Sequence, residues 1–286
     1  MILVTGATGN IGGEVVRELA ARGAPVRALV RERGRPVLPE GVDAVSGDLE
    51  RPDTLGAALD GVGAVFLLPG YPSVAGLLAP AGVHRVVQLS GASAEGDHRS
   101  DVVSSYMIES EGAVRGSGAD WTILRPSAFM TNTLQWVPQL QAGDVVRAPF
   151  PGVRAAVLDP ADVAAVAAEA LLGEGHAGQV YRLSGPEPLL PADRVQILGT
   201  VLGRPLRFEA QPDDEARAEM LAAMPAAYVD AFFSFYVDGT LDESPVLPTV
   251  QELTGRPPRT FEQWAKAHRE AFAPRAGGNG SSSGSG

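Results

Sequence analysis

The sequence has no cysteine, which removes disulfides, thiolate nucleophiles and cysteine-ligated metals together. Its 4 histidines form no HxxH-type pair, so no metal site is expected. No apolar run approaches the roughly 18 residues needed to cross a bilayer. Neither a basic segment nor a small-residue cleavage site accompanies the first apolar stretch, so a cytoplasmic chain is expected. Basic charge is also scarce: 23 Lys and Arg against 34 Asp and Glu leave a net charge of -11. Nucleic acids and anionic membranes select basic surfaces and are not expected partners.

What is present fits an ordinary globule of 286 residues, 45% hydrophobic and 20% charged, long enough for a substantial core. Apolar runs of strand length ("MILVT", "PVRALV", "DAVSGD", "AVFLLP", "RVVQLS", "DWTILRP") alternate with helix-period segments. Runs this apolar suit a parallel sheet covered on both faces, and the alternation predicts an α/β, Rossmann-type doubly wound fold. The spacing predicts a dinucleotide-binding domain over 1–150, with sheet elements returning around 155–185. There "DPADVAAVAAEALLGEG" reads as a helix that Asp159 can cap, and "QVYRLSGPEPL" as a strand. A smaller, mostly helical portion over 186–273 is expected to cover the open strand ends, and the Gly/Ser run 274–286 reads as a disordered, appended linker.

The motif "VTGATGNIGG" places Gly6, Gly9 and Gly12 after a strand and at the opening of a helix. Side chains there would push a pyrophosphate away from the free N–H groups of the helix start, and Thr5, Thr8 and Asn10 add short polar groups. At the end of the second strand, where an acid would bind the ribose 2′-hydroxyl of NAD, the chain has Arg31 followed by Arg33 and Arg35. A guanidinium fork suits a 2′-phosphate, so NADP(H) is expected over NAD(H). Asp48 either bonds the adenine amino group or caps the helix that follows.

Together with "VRALVRE", "GDL", "VFLLP", "AGVHRVVQLS", "GADWTILRPSAFMTN", "DPADVAAVAAEAL" and "YRLSGPE", this motif resembles the NmrA-like branch of the atypical short-chain dehydrogenase/reductase superfamily over nearly all of the chain to about residue 273. The resemblance implies an NADP(H)-binding Rossmann domain and a small substrate-binding portion. Carried across position by position, it puts Gly6, Thr8, Gly9, Asn10, Ile11 and Gly12 at the pyrophosphate and Arg31 at the 2′-phosphate. Asp48 and Leu49 fall at the adenine, and Leu67, Leu68 and Pro69 beside the ribose. Ser90 and Gly91 come near the nicotinamide ribose, with Pro126, Ser127 and Phe129 along the nicotinamide pocket.

The superfamily's Y-x-x-x-K, which donates a proton to the substrate oxygen, is missing. Alignment on Glu111 puts Met107 at the lysine and Val103 at the tyrosine, and neither ionises. Tyr106 lies three positions on, about 60° away around the helix, and is either a displaced proton donor or an ordinary half-buried residue. Ser90 and Ser93 either bond a substrate carbonyl or are loop serines, and His98 either donates a proton or is a solvated loop residue. An apolar aromatic pocket is expected from Tyr71, Phe129, Met130, Trp136 and Phe150, with "AFFSFY" read mainly as helix packing.

These features predict an NADPH-dependent reductase of a small apolar carbonyl or quinone-type compound, working without the Tyr–Lys pair, as a monomer or a homodimer. A non-catalytic NADP(H)-sensing regulator and a non-redox isomerase or cyclase on the same fold are the alternatives.

Overall fold

The computed structural model describes residues 1–31, 37–97, 99 and 101–273. Its centre is a seven-stranded sheet of order β3-β2-β1-β4-β5-β6-β8, in which every neighbouring pair is parallel. The strands are β1 (Ile2–Val4), β2 (Val26–Val30), β3 (Asp43–Ser46), β4 (Ala64–Leu67), β5 (Arg85–Leu89), β6 (Asp120–Pro126) and β8 (Gln179–Leu183). The central strands β1 and β4 are buried at every position, as a sheet covered on both faces requires. The polar sequence DAVS makes β3 an exposed edge.

Helices α1 (Asn10–Ala21) and α6 (Pro160–Leu172) cover one face, where Val15, Val16 and Leu19 meet Val163, Val166 and Ala167. The alanine-rich face of α6 lets the two helices approach closely. The other face is closed by α2 (Gly56–Leu59), α3 (Pro72–Leu78) and α4 (Val102–Arg115), through Leu59, Val74, Leu78 and Val114.

A third core lies beyond the carboxyl ends of the strands. It is built from Met130, Trp136, Leu140 and Val146 packed with Val195, Leu198, Phe261, Trp264 and Phe272. The C-terminal portion comprises α5 (Val137–Ala142), β7 (Val145–Ala148), α7 (Pro191–Leu202), β9 (Arg207–Ala210), α8 (Asp213–Ala223), α9 (Ala226–Tyr236), α10 (Thr249–Thr254) and α11 (Phe261–Ala267), of which α10 returns to the first core through Val250. Strand β7 pairs in parallel with β9 in a separate two-stranded sheet.

The chain leaves the dinucleotide layer just after Phe129, because the apolar side chains of 130–148 bury against α7 and α11 and because β7 finds its partner in the C-terminal portion. That portion is mostly helical, as expected, with one short sheet set into it.

Candidate functional site

The glycine loop runs from the end of β1 into α1. Thr5 fastens it to β4: its Oγ1 donates to the Phe66 carbonyl (3.0 Å) and accepts from the Leu68 amide (2.9 Å). The three glycines serve different ends. Gly6 has φ +63°, and a Cβ there would stand 2.5 Å from Leu68 Cδ1. A Cβ on Gly12 would stand 2.3 Å from the Gly6 carbonyl oxygen. Both are therefore demanded by the fold itself.

Gly9 is different. It caps α1 in extended conformation (φ -90°, ψ 175°), and its nearest would-be contact is the Gly6 oxygen at 3.3 Å. Thr8, Gly9 and Asn10 are exposed. The dihedrals at Gly9 are open to any residue, and a Cβ would press on one backbone oxygen only, so the fold demands glycine less strictly here than at Gly6 and Gly12. The α1 N-terminus also presents amides that have no partner in the helix ladder, and its first turn carries no acid. This cradle fits a dinucleotide pyrophosphate.

Around it, Arg31 is exposed directly after β2, and Leu67 is buried at the end of β4, ahead of Leu68 and Pro69. Arg33 and His98 lie outside the described residues. Asp48 Oδ1 accepts from the Glu50 amide at 3.0 Å, closing a local turn ahead of a 3-10 helix (Pro52–Leu55) that Arg51 begins, and Leu49 is packed into the second core. At the end of β6, Pro126 is buried and Ser127 Oγ donates to the Ala156 carbonyl (2.6 Å). Phe129 pairs with Leu158 and packs on the first core.

The region of the missing Tyr–Lys pair is apolar. Val103 and Met107 are partly exposed on α4. A Cβ built on Gly91 would lie 3.7 Å from Met107 Cε and 3.9 Å from Ser93 Oγ, so these residues adjoin the end of β5. The hydroxyls considered as proton donors are engaged elsewhere. Tyr106 donates to the Pro69 carbonyl (2.8 Å) and its ring covers Gly70, whose φ of +93° leaves no room for a side chain. Burial pushes the Tyr106 phenol above its ordinary range. Ser90 is buried and donates to Glu111 Oε1 (2.7 Å). Without a bound substrate, each of these two hydroxyls donates to an acceptor of the chain itself.

A cavity of about 700 Å³ opens two residues past the end of β6, at Ala128, and is walled by the segments that follow it and by the C-terminal portion. Trp136 and Phe150 line it, together with Phe232 and Tyr236 of α9, Met220 of α8 and Met224 just beyond that helix. Phe150 adopts φ 55°, uncommon for a residue with a side chain. Its ring holds that geometry against Phe233 (5.4 Å) and Tyr236 (5.2 Å). Four residues expected in the pocket do not line it: Ser93 stays beside Gly91 at the end of β5, and the other three are taken up by packing. Met130 is fully buried in the third core because its amide pairs with the Leu158 carbonyl, Tyr71 packs on the second core, and Phe129 on the first.

Two charged residues of the cavity, Arg194 and Glu243, escape the sequence reading. Glu243 accepts from the Tyr236 hydroxyl (2.9 Å) and from the Ala128 amide. Burial still drives its carboxyl above the ordinary range, and burial followed by the Glu243 charge drives the Tyr236 phenol up as well. Nothing periodic marks Glu243 in "TLDESPVLP". Arg194 carried a readable signal: it lies one turn from the buried Leu198, a charge on the apolar face of α7.

A smaller cavity of about 250 Å³ adjoins, lined by Thr8, Gly9, Asn10, Asp159, Trp264 and His268. Thr131 lines both cavities. The phosphate cradle and the aromatic pocket are thus neighbours at the carboxyl end of a parallel sheet, where such folds bind their ligands.

Residues 6–174 match the family described as NAD(P)H-binding. The chain belongs to that family. The glycine loop opens the matched segment. The chain is similar to (4-alkanoyl-5-oxo-2,5-dihydrofuran-3-yl)methyl phosphate reductase of Streptomyces griseus subsp. griseus, 45% identical over 282 residues, covering 96% of this chain and 100% of the relative. It is similar to NAD(P)H azoreductase of Xenophilus azovorans, 37% identical over 284 residues, covering 95% of this chain and 99% of the relative. An NADPH-dependent quinone oxidoreductase of Escherichia coli, solved in complex with NADPH, shares the fold with a TM-score of 0.76 at 24% identity, covering 93% of this chain and 99% of that one. No helix among the described residues is long and apolar enough to cross a membrane, and no cluster of potential metal ligands occurs among them.

Proposed function

We propose that this protein is an NADPH-dependent reductase of a small, apolar-tailed conjugated acceptor: a quinone, or a ring enone such as an alkanoyl dihydrofuranone carrying a phosphate ester. The observation that carries the reading is the placement of one large aromatic cavity, walled by Trp136, Phe150, Phe232 and Tyr236, beside the glycine cradle at the end of β6. The 45% identical furanone phosphate reductase supports the acceptor class, and the azoreductase supports transfer to a conjugated electrophile.

Bound there, the nicotinamide supplies a hydride. The chain's own residues bind and orient. The amides at the start of α1 would hold the pyrophosphate, Arg31 would hold the 2′-phosphate, and the aromatic walls keep the acceptor flat. Conjugated acceptors delocalise the incoming electron pair, so the proton can follow from solvent. Positioning then carries most of the rate, which is consistent with Val103 and Met107 standing where the superfamily has its acid–base pair.

The test is steady-state NADPH oxidation with a panel of quinones and acyl dihydrofuranones, alongside NADH. NADPH is expected to bind at least about tenfold more tightly than NADH, about 1.4 kcal/mol, and Arg31→Ala to erase most of that preference. Equal affinities for the two would remove the 2′-phosphate assignment. Tight NADPH binding without turnover of any acceptor would favour the sensing regulator instead.

A further inference from the structure

The substrate cavity contains a guanidinium that the chain does not neutralise by contact. Arg194, in the second turn of α7, lays its side chain over Trp136 at 5.2 Å from the ring centroid. Among the described residues it has neither an ion pair nor a side-chain hydrogen bond, and its Nε is buried without a partner. Glu243 acts on it only from beyond contact distance. Burial lowers its pKa to about 10, which leaves it a cation at neutral pH. Arg147, on the same cavity wall, is by contrast paired with Glu215.

A charge removed from water and left without a counter-charge destabilises a fold, and proteins usually pair such groups. Stacking on Trp136 accounts for the flat face of the guanidinium but leaves its N–H edge unused, and that edge is the fork that takes two oxygens of one anion. Thr131, Asn132 and Gln135 line the same cavity and add neutral polar groups. The lining also holds Gln139, Gln211 and the charged Arg147, Glu219 and Glu243, set among aromatic and aliphatic side chains that suit an acceptor with an apolar body.

We infer that Arg194 is the anion-recognition residue of this pocket and receives the phosphate ester of the acceptor. This rests on the reductase reading given above and adds to it the residue that selects the substrate.

The experiment uses the full chain and three acceptors: (4-hexanoyl-5-oxo-2,5-dihydrofuran-3-yl)methyl phosphate, the alcohol left when its phosphate is removed, and menadione. The unmutated protein is expected to prefer the phosphate over the alcohol by roughly a hundredfold in kcat/KM, the scale of a charge-assisted bidentate contact. Arg194→Gln should bring the ratio below about tenfold, chiefly through KM, and Arg194→Lys, which keeps the charge and loses the fork, should fall between. Melting temperature and NADPH affinity of each variant separate lost recognition from lost fold. An unchanged ratio in Arg194→Gln, or equal use of phosphate and alcohol by the unmutated protein, overturns the assignment. Oxidation of NADPH with none of the three acceptors counts against the reductase reading alone. The subsite is then decided by calorimetry of the furanone phosphate on the NADP-loaded protein: binding at least tenfold weaker in Arg194→Gln upholds it, and equal binding overturns it.

Discussion

The hydroxyl of Ser90 donates to Oε1 of Glu111 across 2.7 Å, joining the end of β5 to the middle of α4 beneath the expected nicotinamide site. Glu111 is the hub of a buried network. Its carboxylate also accepts from Arg125 Nε (2.8 Å) and Nη2 (2.7 Å) and from Arg115 Nη2 (3.0 Å). Burial pushes its pKa up, but the hydrogen bonds from Arg125, Ser90 and Arg115 outweigh that and hold it below the ordinary 4.5.

Glu111→Ala removes the bidentate partner of Arg125 and should destabilise the protein by about 3 kcal/mol or more at pH 7, measured by urea unfolding. Because the folded-state pKa is depressed, this contribution is complete above the unfolded value of 4.5 and disappears as pH falls through the folded one. The gap between the unmutated protein and Glu111→Ala should therefore narrow progressively below about pH 4.5. A gap that widens on acidification would contradict the network described for Glu111.

The glycine loop separates two kinds of requirement. Gly9→Val places a branched side chain in the cradle and should weaken NADPH binding by at least about a hundredfold, near 2.7 kcal/mol. Stability without nucleotide should change by no more than about 1 kcal/mol, since the extended cap accepts a side chain. Gly12→Ala drives a Cβ to 2.3 Å from the Gly6 oxygen and should lower the melting temperature even without nucleotide. Calorimetry for the first and thermal melts for both check the pair. Normal NADPH binding by Gly9→Val would place the pyrophosphate elsewhere.

Tyr106 acts as a strut between α4 and the Pro69–Gly70 turn. Tyr106→Phe should lower kcat by less than about tenfold, whereas loss of a general acid typically removes about 10² to 10⁴. The measurement is steady-state NADPH oxidation, with Ser90→Ala run in parallel. A thousandfold loss in either variant, with NADPH affinity retained, would establish a proton donor where the geometry shows a committed hydroxyl.

The order of β1 to β6 was legible because a sheet buried on both faces needs uninterrupted apolar runs, and "AVFLLP" and "RVVQLS" are such runs. The glycine cradle was legible because close backbone approach admits one residue type. Strands β7 and β9 were not: "VVRA" and "RFEA" are four residues each, pair across about sixty positions of chain, and alternate too briefly to register. The aromatic cavity was legible only in part, through Trp136 and Phe150, for a related reason. It forms only when the segment after β6 meets α7, α8 and α9, so Met130 and Trp136, six positions apart, part ways: one disappears into the third core and the other faces the cavity. Glu243 sits in a loop whose sequence has no period to break.

Thr131 forms part of the wall of both cavities. A molecule in one is therefore a single side chain away from a molecule in the other, and any coupling between the two occupancies obeys linkage. By reciprocity, whatever factor the nucleotide applies to the affinity for the acceptor, the acceptor returns in full to the affinity for the nucleotide. Residue 131 is the narrowest place through which that factor can be altered, because a substitution there changes the separation of the two guests while leaving the remaining walls of each cavity in place.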